Sequence, residues 1–561
     1  MVLKNEKIVE TKSCQQCQIS FDITDRDLIF YKQVSPVFDE VKYDIPTPRL
    51  CSACRQQRRL SWRNERSLYK RKCDATGKDI ISIYSPENTC KVYSHDIWFS
   101  DHYSALDYGQ DFNFEKSFAD QFKQLQKQVP RLGILSANSE NSGYTNHTYH
   151  QKNCYLVFEG GYNEDSMYST TLWDSKDCVD CEIVHDSHNC YQSQHIKNCQ
   201  NCYFSMRLQD CHNCIDCSDC INCKDCFGSS NQLNGQYIAL NKQYTKEAYE
   251  DFMKNLGSER FTKQSPQDNI VKALNIVNCE NSTGDNLTNC KDCEAAYDSN
   301  DLENVKYSWK LFSSKNCYDY DIFWENSENV YEVHCSGRSY NVAFSNIIWE
   351  ESKDIYYSDN CVNGCSNLFG CIWLKNNQYC IFNKQYSESE YNELVPKIIE
   401  HMRTTWEWWE FFPSSISPFG YNETVAAEYF PLDKPNAIKK WFVWSDYEVA
   451  FPKVEKTIAG AKLPNDIADV PDDILNWAIE CEVTKKPFRI ITQELEFYRR
   501  HGLPIPRRHP DQRHIDRMKL RNKTEIHDSK CHKCSKDIQT SYSPESSQAL
   551  YCESCYNKEI Y

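Results

Sequence analysis

Between residues 141 and 236 the small and polar positions recur every twelve residues with no insertion. Eight consecutive dodecads start at Asn141, Asn153, Asp165, Asp177, Asn189, Asn201, Asn213 and Asp225. The next position is small or a cysteine each time: Ser142, Cys154, Ser166, Cys178, Cys190, Cys202, Cys214 and Cys226. Serine or cysteine often returns three residues later, as at Ser169, Cys181, Ser193, Ser205, Cys217 and Ser229. A second block, from about Val277 to Gln378, keeps the period, with starts at Asp292, Asn304, Asn316, Asn329, Asn341, Asp354 and Asn367 and some spacings of thirteen. Its second position is often a larger apolar residue: Val305, Val330, Val342, Ile355 or Leu368.

A helix would carry side chains three and nine residues apart to different faces, whereas short strands joined by tight corners keep them together. Asn and Asp suit such corners because they tolerate left-handed backbone angles and can stack in hydrogen-bonded ladders. Cysteine is a good small hydrophobe for a narrow interior. The pattern therefore predicts a mainly β chain built on a parallel β-solenoid in two blocks, stabilised by neighbour-on-neighbour stacking. Val and Ile at the second position favour two dodecads per rung, because one would enclose room only for Cys, Ser or Ala. The cysteine run Cys211, Cys214, Cys217, Cys220, Cys223 and Cys226 falls on the three-residue phase of the repeat. Core packing accounts for that phase; rung-to-rung disulfides or a bound cluster remain as alternatives.

Each block ends in a matching excursion, YIALNKQYTKEAYEDFMKNL over 237–256 and YCIFNKQYSESEYNELVPKI over 379–398. Thr245 and Ser387 read as helix N-caps, and Ser387 with Glu390 forms a capping box. These helices are expected to cover open solenoid ends, where bare sheet edges invite aggregation.

The chemistry lies at the two ends. Cys14 and Cys17 pair with Cys51 and Cys54 across 33 residues, and Cys531 and Cys534 pair with Cys552 and Cys555 across 17. Four thiolates satisfy tetrahedral zinc and leave no open position, so both sites are expected to be structural. A shift of 458 places Cys51 to Tyr103 on His509 to Tyr561, matching Arg55, Arg59, Arg63, Asn64 and Cys73 with Arg513, Arg517, Arg521, Asn522 and Cys531. Both ends therefore read as a two-ribbon unit with reciprocal ligand loss. Cys73, Thr76, Ser94 and Ile97 stand at the second site of the first unit; Cys481, Thr484, His509 and Gln512 stand at the first site of the last. Two Zn2+ ions are expected rather than four, with His509 and Cys481 as the remnant of a weaker third site.

The organisation that follows is a tandem zinc-ribbon unit at 1–103, a helical connector at 104–140, solenoid blocks at 141–236 and 277–378, helical excursions at 237–276 and 379–410, an aromatic and acidic connector at 411–480 with a short helix near 472–480, and the second tandem unit at 481–561.

Composition sharpens this picture. The net charge of -16 is uneven: residues 1–75 hold 15 Lys and Arg against 10 Asp and Glu, and residues 485–561 hold 16 against 10. A basic helix expected over 55–72 carries Arg55, Arg58, Arg59, Arg63 and Arg66; Arg513, Arg517 and Arg521 repeat the bias. These arginines are candidate nucleic-acid contacts, supplying affinity without base specificity. The alternative is that they pair with the acidic solenoid within the chain. The first residues have no apolar signal-like run, and no segment offers eighteen consecutive apolar residues, so a cytoplasmic protein without membrane contact is expected. In a reducing cytosol the 32 cysteines are metal ligands or core residues more readily than disulfides.

The run FYKQVSPVF with IPTPRLCSACRQQRRLSWRNERSLYKRKC resembles a zinc-ribbon (treble-clef) module. With the two NKQY segments and the closing YCESCYNKEIY, the whole chain is similar to cysteine-rich proteins of ultra-small, reduced-genome bacteria. That resemblance implies architecture and a bacterial cytosol but no activity. No catalytic constellation stands out, and the expected role is a non-enzymatic zinc-binding scaffold with a protein or RNA partner. A carbohydrate-active enzyme on a β-helix, or a thiol-rich metal or electron-transfer protein, is the alternative.

Overall fold

The computed structural model describes residues 3–261, 270–322, 326–451, 454 and 456–560; residues 262–269 of the 237–276 excursion and 452, 453 and 455 of the 411–480 connector lie outside these. Strands of the first block pair in parallel with strands twelve residues further on: Thr170 with Glu182, Cys178 with Cys190, Cys214 with Cys226. One dodecad is one rung. The 24-residue rung expected from Val and Ile is thus corrected to twelve.

Backbone geometry explains how twelve residues close a turn. Positive φ returns at every third residue, with 51° at Asp177, 56° at Asp180, 53° at Ile183 and 49° at Asp186. Four left-handed corners give a four-sided rung, and the second, fifth, eighth and eleventh residues are buried between them. The 24-residue expectation judged one interior position at a time, whereas four side chains share each lumen. Ser166, Ser169 and Ser175 make room for Leu172; Ser308 and Ser314 make room for Val305 and Leu311; Cys214, Cys217, Cys220 and Cys223 fill one rung alone. Thirteen-residue spacings place the additional residue at a corner, where Glu350 and Glu351 or Asn363 and Gly364 are consecutive left-handed residues.

The asparagine ladder is present at the starting corner. Asn189 Nδ2 donates to Asn201 Oδ1 at 3.1 Å, Asn201 to Asn213 at 2.9 Å and Asn213 to Asp225 at 2.8 Å. The second block repeats it from Asn304 to Asn316 and from Asn329 to Asn341.

Both blocks end alike. A short antiparallel strand turns back on the last parallel one, Ile238 opposite Gln243 and Cys380 opposite Gln385, removing its free edge. The helices Lys246–Leu256 and Glu388–Thr404 then pack there, capped by Thr245 and by the Ser387–Glu390 box as the sequence predicts. The second buries Tyr391, Val395, Ile398, Ile399 and Met402 against the core of its block.

The two blocks touch through Lys310, whose Nζ lies 2.9 Å from Glu159 and 2.8 Å from Thr171 Oγ1. Each end unit bridges both blocks. In the first unit Val92–Tyr93 pairs with Arg131–Leu132 where block one begins, while its basic helix lies on block two. In the last unit Ala549–Tyr551 pairs with Ile270–Lys272 where block two begins, while its basic helix lies on block one.

Two local expectations change. The basic helix spans Ser52–Leu60 rather than 55–72, because Tyr69–Lys72 forms a hairpin with Asp79–Ser82. The turn of that hairpin carries Cys73 and Thr76. Near residue 472 only a 3-10 turn, Asp472–Asn476, is helical; Trp477–Glu480 is a strand between Lys456–Ala459 and Pro487–Phe488.

Candidate metal centres and the basic helices

In each end unit a hairpin turn presents two cysteines to two more at the start of a helix. Cys14 and Cys17 follow Ile8–Ser13; Cys51 caps Ser52–Leu60 and Cys54 lies in its first turn. Cys531 and Cys534 follow His527–Lys530, and Cys552 and Cys555 flank the start of Glu553–Ile560. The four sulfurs of each group lie within 4.8 Å of one another, and among the described residues these are the groups of three or more potential ligands found so close. Cys17 and Cys51 are 3.7 Å apart, Cys534 and Cys552 3.8 Å. Metal–sulfur bonds of ~2.3 Å in a tetrahedron place sulfurs about 3.8 Å apart, so the residues fit a single four-coordinate ion.

Local electrostatics favour one thiolate at each helix start and raise its partner thiol, Cys54 or Cys555. A hydrogen bond with the Cys54 thiol holds Cys51 down at about 5. The Ser554 hydroxyl and the Cys555 backbone N–H do the same for Cys552, at about 6. The first group is enclosed, with Cys14, Cys51 and Cys54 buried; in the second, Cys534 is exposed.

The degenerate positions are occupied by ordinary hydrogen bonds. Cys73 Sγ lies 3.8 Å from Ser94 Oγ and accepts from the Ser94 N–H. His509 turns its Nδ1 to the Asp511 N–H at 3.1 Å, and Cys481 Sγ accepts from Thr484 N.

The arginines of the basic helices face inward. Arg55, Arg58, Arg59 and Arg63 are 2%, 7%, 0% and 2% exposed. Arg55 lies 2.8 Å from Asp319, Arg59 3.3 Å from Asp319 and 2.7 Å from Asp321, and Arg58 2.8 Å from Glu332. Arg63 pairs with Glu65, and Arg66 reaches Thr170 at 3.0 Å and lies over the Phe158 ring. In the last unit Arg513 and Arg517 share Asp180, while Arg521 lies 2.7 Å from Glu182 and 3.5 Å from Asp298. Pairing with acidic residues of the solenoid, one of the two roles read from the sequence, is what Arg55, Arg58, Arg59, Arg513, Arg517 and Arg521 do, while Arg63 pairs within its own unit and Arg66 meets Thr170 and Phe158. Burial opposes charge on Arg55, and the adjacent Asp319 more than compensates, leaving its pKa raised.

The two dockings use the same rung positions for their central acids. Asp180 and Asp319 each occupy the fourth position of a rung, at φ 56° and 55°, and Glu182 and Asp321 each occupy the sixth. Tyr331 meets Tyr31 at 5.3 Å, and its counterpart Tyr191 meets Tyr498 at 5.7 Å. Sequence alone relates the two end units; that they use the same rung positions of opposite blocks is a tertiary fact. The solenoid acids gave no separate signal, being scattered among many corner aspartates.

The cysteines of the repeat line the lumen. Each thiol of the 211–226 run bonds the carbonyl two residues before it, as Cys214 to His212 at 3.5 Å. Burial pushes the Cys154 thiol up to about 12, keeping it neutral. No described helix is long and apolar enough to cross a membrane. No protein-family model matches the chain, and no curated protein matches it significantly.

Proposed function

We propose that this chain is a non-enzymatic scaffold in which each four-cysteine group holds a zinc ion as a structural staple. The observation that carries this is the closed geometry of both groups, four sulfurs within 4.8 Å with each set offered by a hairpin turn and a helix start. Sulfurs this close suit one ion and leave no space for a multi-iron cluster between them. A closed site supplies folding energy rather than a reactive position. At the first group the ion would orient the helix whose next residue, Arg55, enters the solenoid; at the second it would hold the strand Ala549–Tyr551 against block two.

The partner we propose is a protein rather than RNA, since the guanidiniums of the basic helices already meet carboxylates inside the molecule. The setting is a reducing bacterial cytosol, as the resemblance of the chain implies, which keeps the lumen thiols unoxidised. Metal analysis of the purified protein tests the reading: zinc near two equivalents is expected, falling to one in Cys552→Ser. Iron in place of zinc, or no bound metal, would sink it.

A further inference from the structure

Where the first end unit meets the opening of block one and the flank of block two, a cavity of about 10 Å3 gives room for a single guest of roughly a water's size. Trp62 and Arg63 reach it from just beyond the basic helix, and Arg131 from the short strand that leads into block one. His147 comes from the first rung of block one, and Asn360 and Trp373 from corners of two rungs of block two. Every rung that contributes to the wall is described in full.

The polar atoms of this wall do not balance. Its acceptors are already engaged: Asp359 Oδ1 accepts from Asn346 Nδ2 at 2.8 Å and from Asn360 Nδ2 at 2.6 Å, and Asn64 Oδ1 accepts from the Ser67 N–H at 2.9 Å. Arg131 Nη1 donates to Asp359 Oδ2 at 3.3 Å and to Tyr84 Oη at 3.4 Å, and Arg63 Nε donates to Glu65. Donors are left over. Trp62 Nε1, Arg63 Nη1, Arg131 Nε and Nη2, and Trp373 Nε1 are buried without a partner, and none of these groups can accept. Asn360 Oδ1 and His147 Nδ1 are unpartnered too, the first an acceptor and the second able to serve either way.

Buried donors are nearly always paired, so the leftover groups describe their guest. A buried water makes about 2–4 hydrogen bonds and uses its own hydrogens in some of them, so a single water leaves most of these donors unmet. A monatomic anion accepts from every side. Charge favours it as well: Asp359 divides its carboxylate among three donors and meets Arg131 at 3.3 Å, longer than the ~2.7–2.9 Å of a charge-assisted bond. Carboxylates and tetrahedral oxyanions are too large for the space.

We propose that this cavity binds one halide ion, chloride by abundance, held by the guanidiniums of Arg63 and Arg131 and by the indole N–H groups of Trp62 and Trp373. The ion ties the first end unit to the entry of block one and to the flank of block two. Its four holders are at most 2% exposed, so it exchanges slowly and survives desalting. The site goes beyond the zinc reading and does not rest on it.

The test uses the metal-loaded full-length protein, purified in sodium chloride, desalted into sodium gluconate and unfolded in urea, with the released chloride counted by ion chromatography. About one chloride per chain is expected, falling at least tenfold in Arg131→Lys, which keeps the charge but loses the Nε and Nη2 donors. Crystals of the parent protein grown in sodium bromide are expected to show an anomalous peak between Arg63, Arg131 and the two indoles, a readout that holds whether or not the variant folds. Density there without an anomalous signal, as a water gives, overturns the proposal. So does the release of less than a tenth of a chloride per chain, or a full equivalent retained by Arg131→Lys, which would put the ion elsewhere.

Discussion

Leu172 shows what a lumen position does. It is fully buried among three serines of its own rung, so its side chain supplies most of the apolar filling at that level. Leu172→Ala is expected to cost ~2–5 kcal/mol, because the rung cannot collapse around the cavity. Cys217→Leu is expected to cost ~1–3 kcal/mol for the opposite reason, since four cysteines already fill its lumen. Guanidinium unfolding measures both; equal midpoints for parent and Leu172→Ala would show that the rung repacks. His334 gives a pH dependence. It is fully buried, its Nδ1 2.9 Å from Asn346 Oδ1, and burial lowers its pKa well below the ordinary 6.5. A depressed folded value means that the unfolded chain binds the proton first as pH falls. Its stabilisation is therefore present above about 6.5 and is lost below it, by up to ~1.4 kcal/mol per pH unit. His185, lowered to about 4 by burial, acts in the same direction between 6.5 and 4. Unfolding series from pH 7.5 to 5 are expected to show this slope, reduced by about one proton in His334→Asn; an identical slope would remove His334 from the account.

At the scale of elements, the basic helix of the last unit converges on one corner aspartate. Asp180 meets both Arg513 and Arg517, and all three are buried. Asp180→Ala removes the carboxylate shared by two buried guanidiniums, leaving Arg513 with Glu494 and Tyr498 and Arg517 with the Tyr168 carbonyl, and puts a residue poorly suited to αL at a left-handed corner, at an expected cost of ~3–5 kcal/mol. Asp180→Asn keeps the corner while losing the charge and is expected to fall between alanine and the parent. Amide exchange along Pro510–Met518 reads the undocking; unchanged protection in Asp180→Ala would mean that apolar packing alone holds the helix. The helix starts at Thr245 and Ser387 were legible because capping is local chemistry. The basic helix read as 55–72 stops at Leu60 because its second half is needed for the hairpin that carries Cys73, a demand of the unit and not of the segment.

At the scale of the molecule, each end unit is a clasp joining the start of one solenoid block to the face of the other. Rungs support their neighbours and do not need the clasps for their own pairing. Metal removal should therefore act from the ends. With Cys534 exposed, the second group is expected to lose its ion first, freeing Ala549–Tyr551 from Ile270–Lys272. Limited proteolysis of chelator-treated protein is then expected to cut within residues 527–560 while 141–236 persists. Simultaneous loss of both regions would show that the blocks depend on the clasp.

The sequence by itself determined the twelve-residue period, the corner Asn and Asp, the two four-cysteine groups and the kinship of the two ends, because each is written in local residue types at fixed spacing. Only the tertiary structure decided that a rung holds twelve residues, because lumen volume is shared among four side chains and cannot be judged from one. It also decided where the arginines point. A helix rich in Arg looks the same in sequence whether it meets phosphate or carboxylate, and the answer lay in aspartates more than a hundred residues away, brought to Arg55, Arg59, Arg513 and Arg517 by the crossing of end units between blocks.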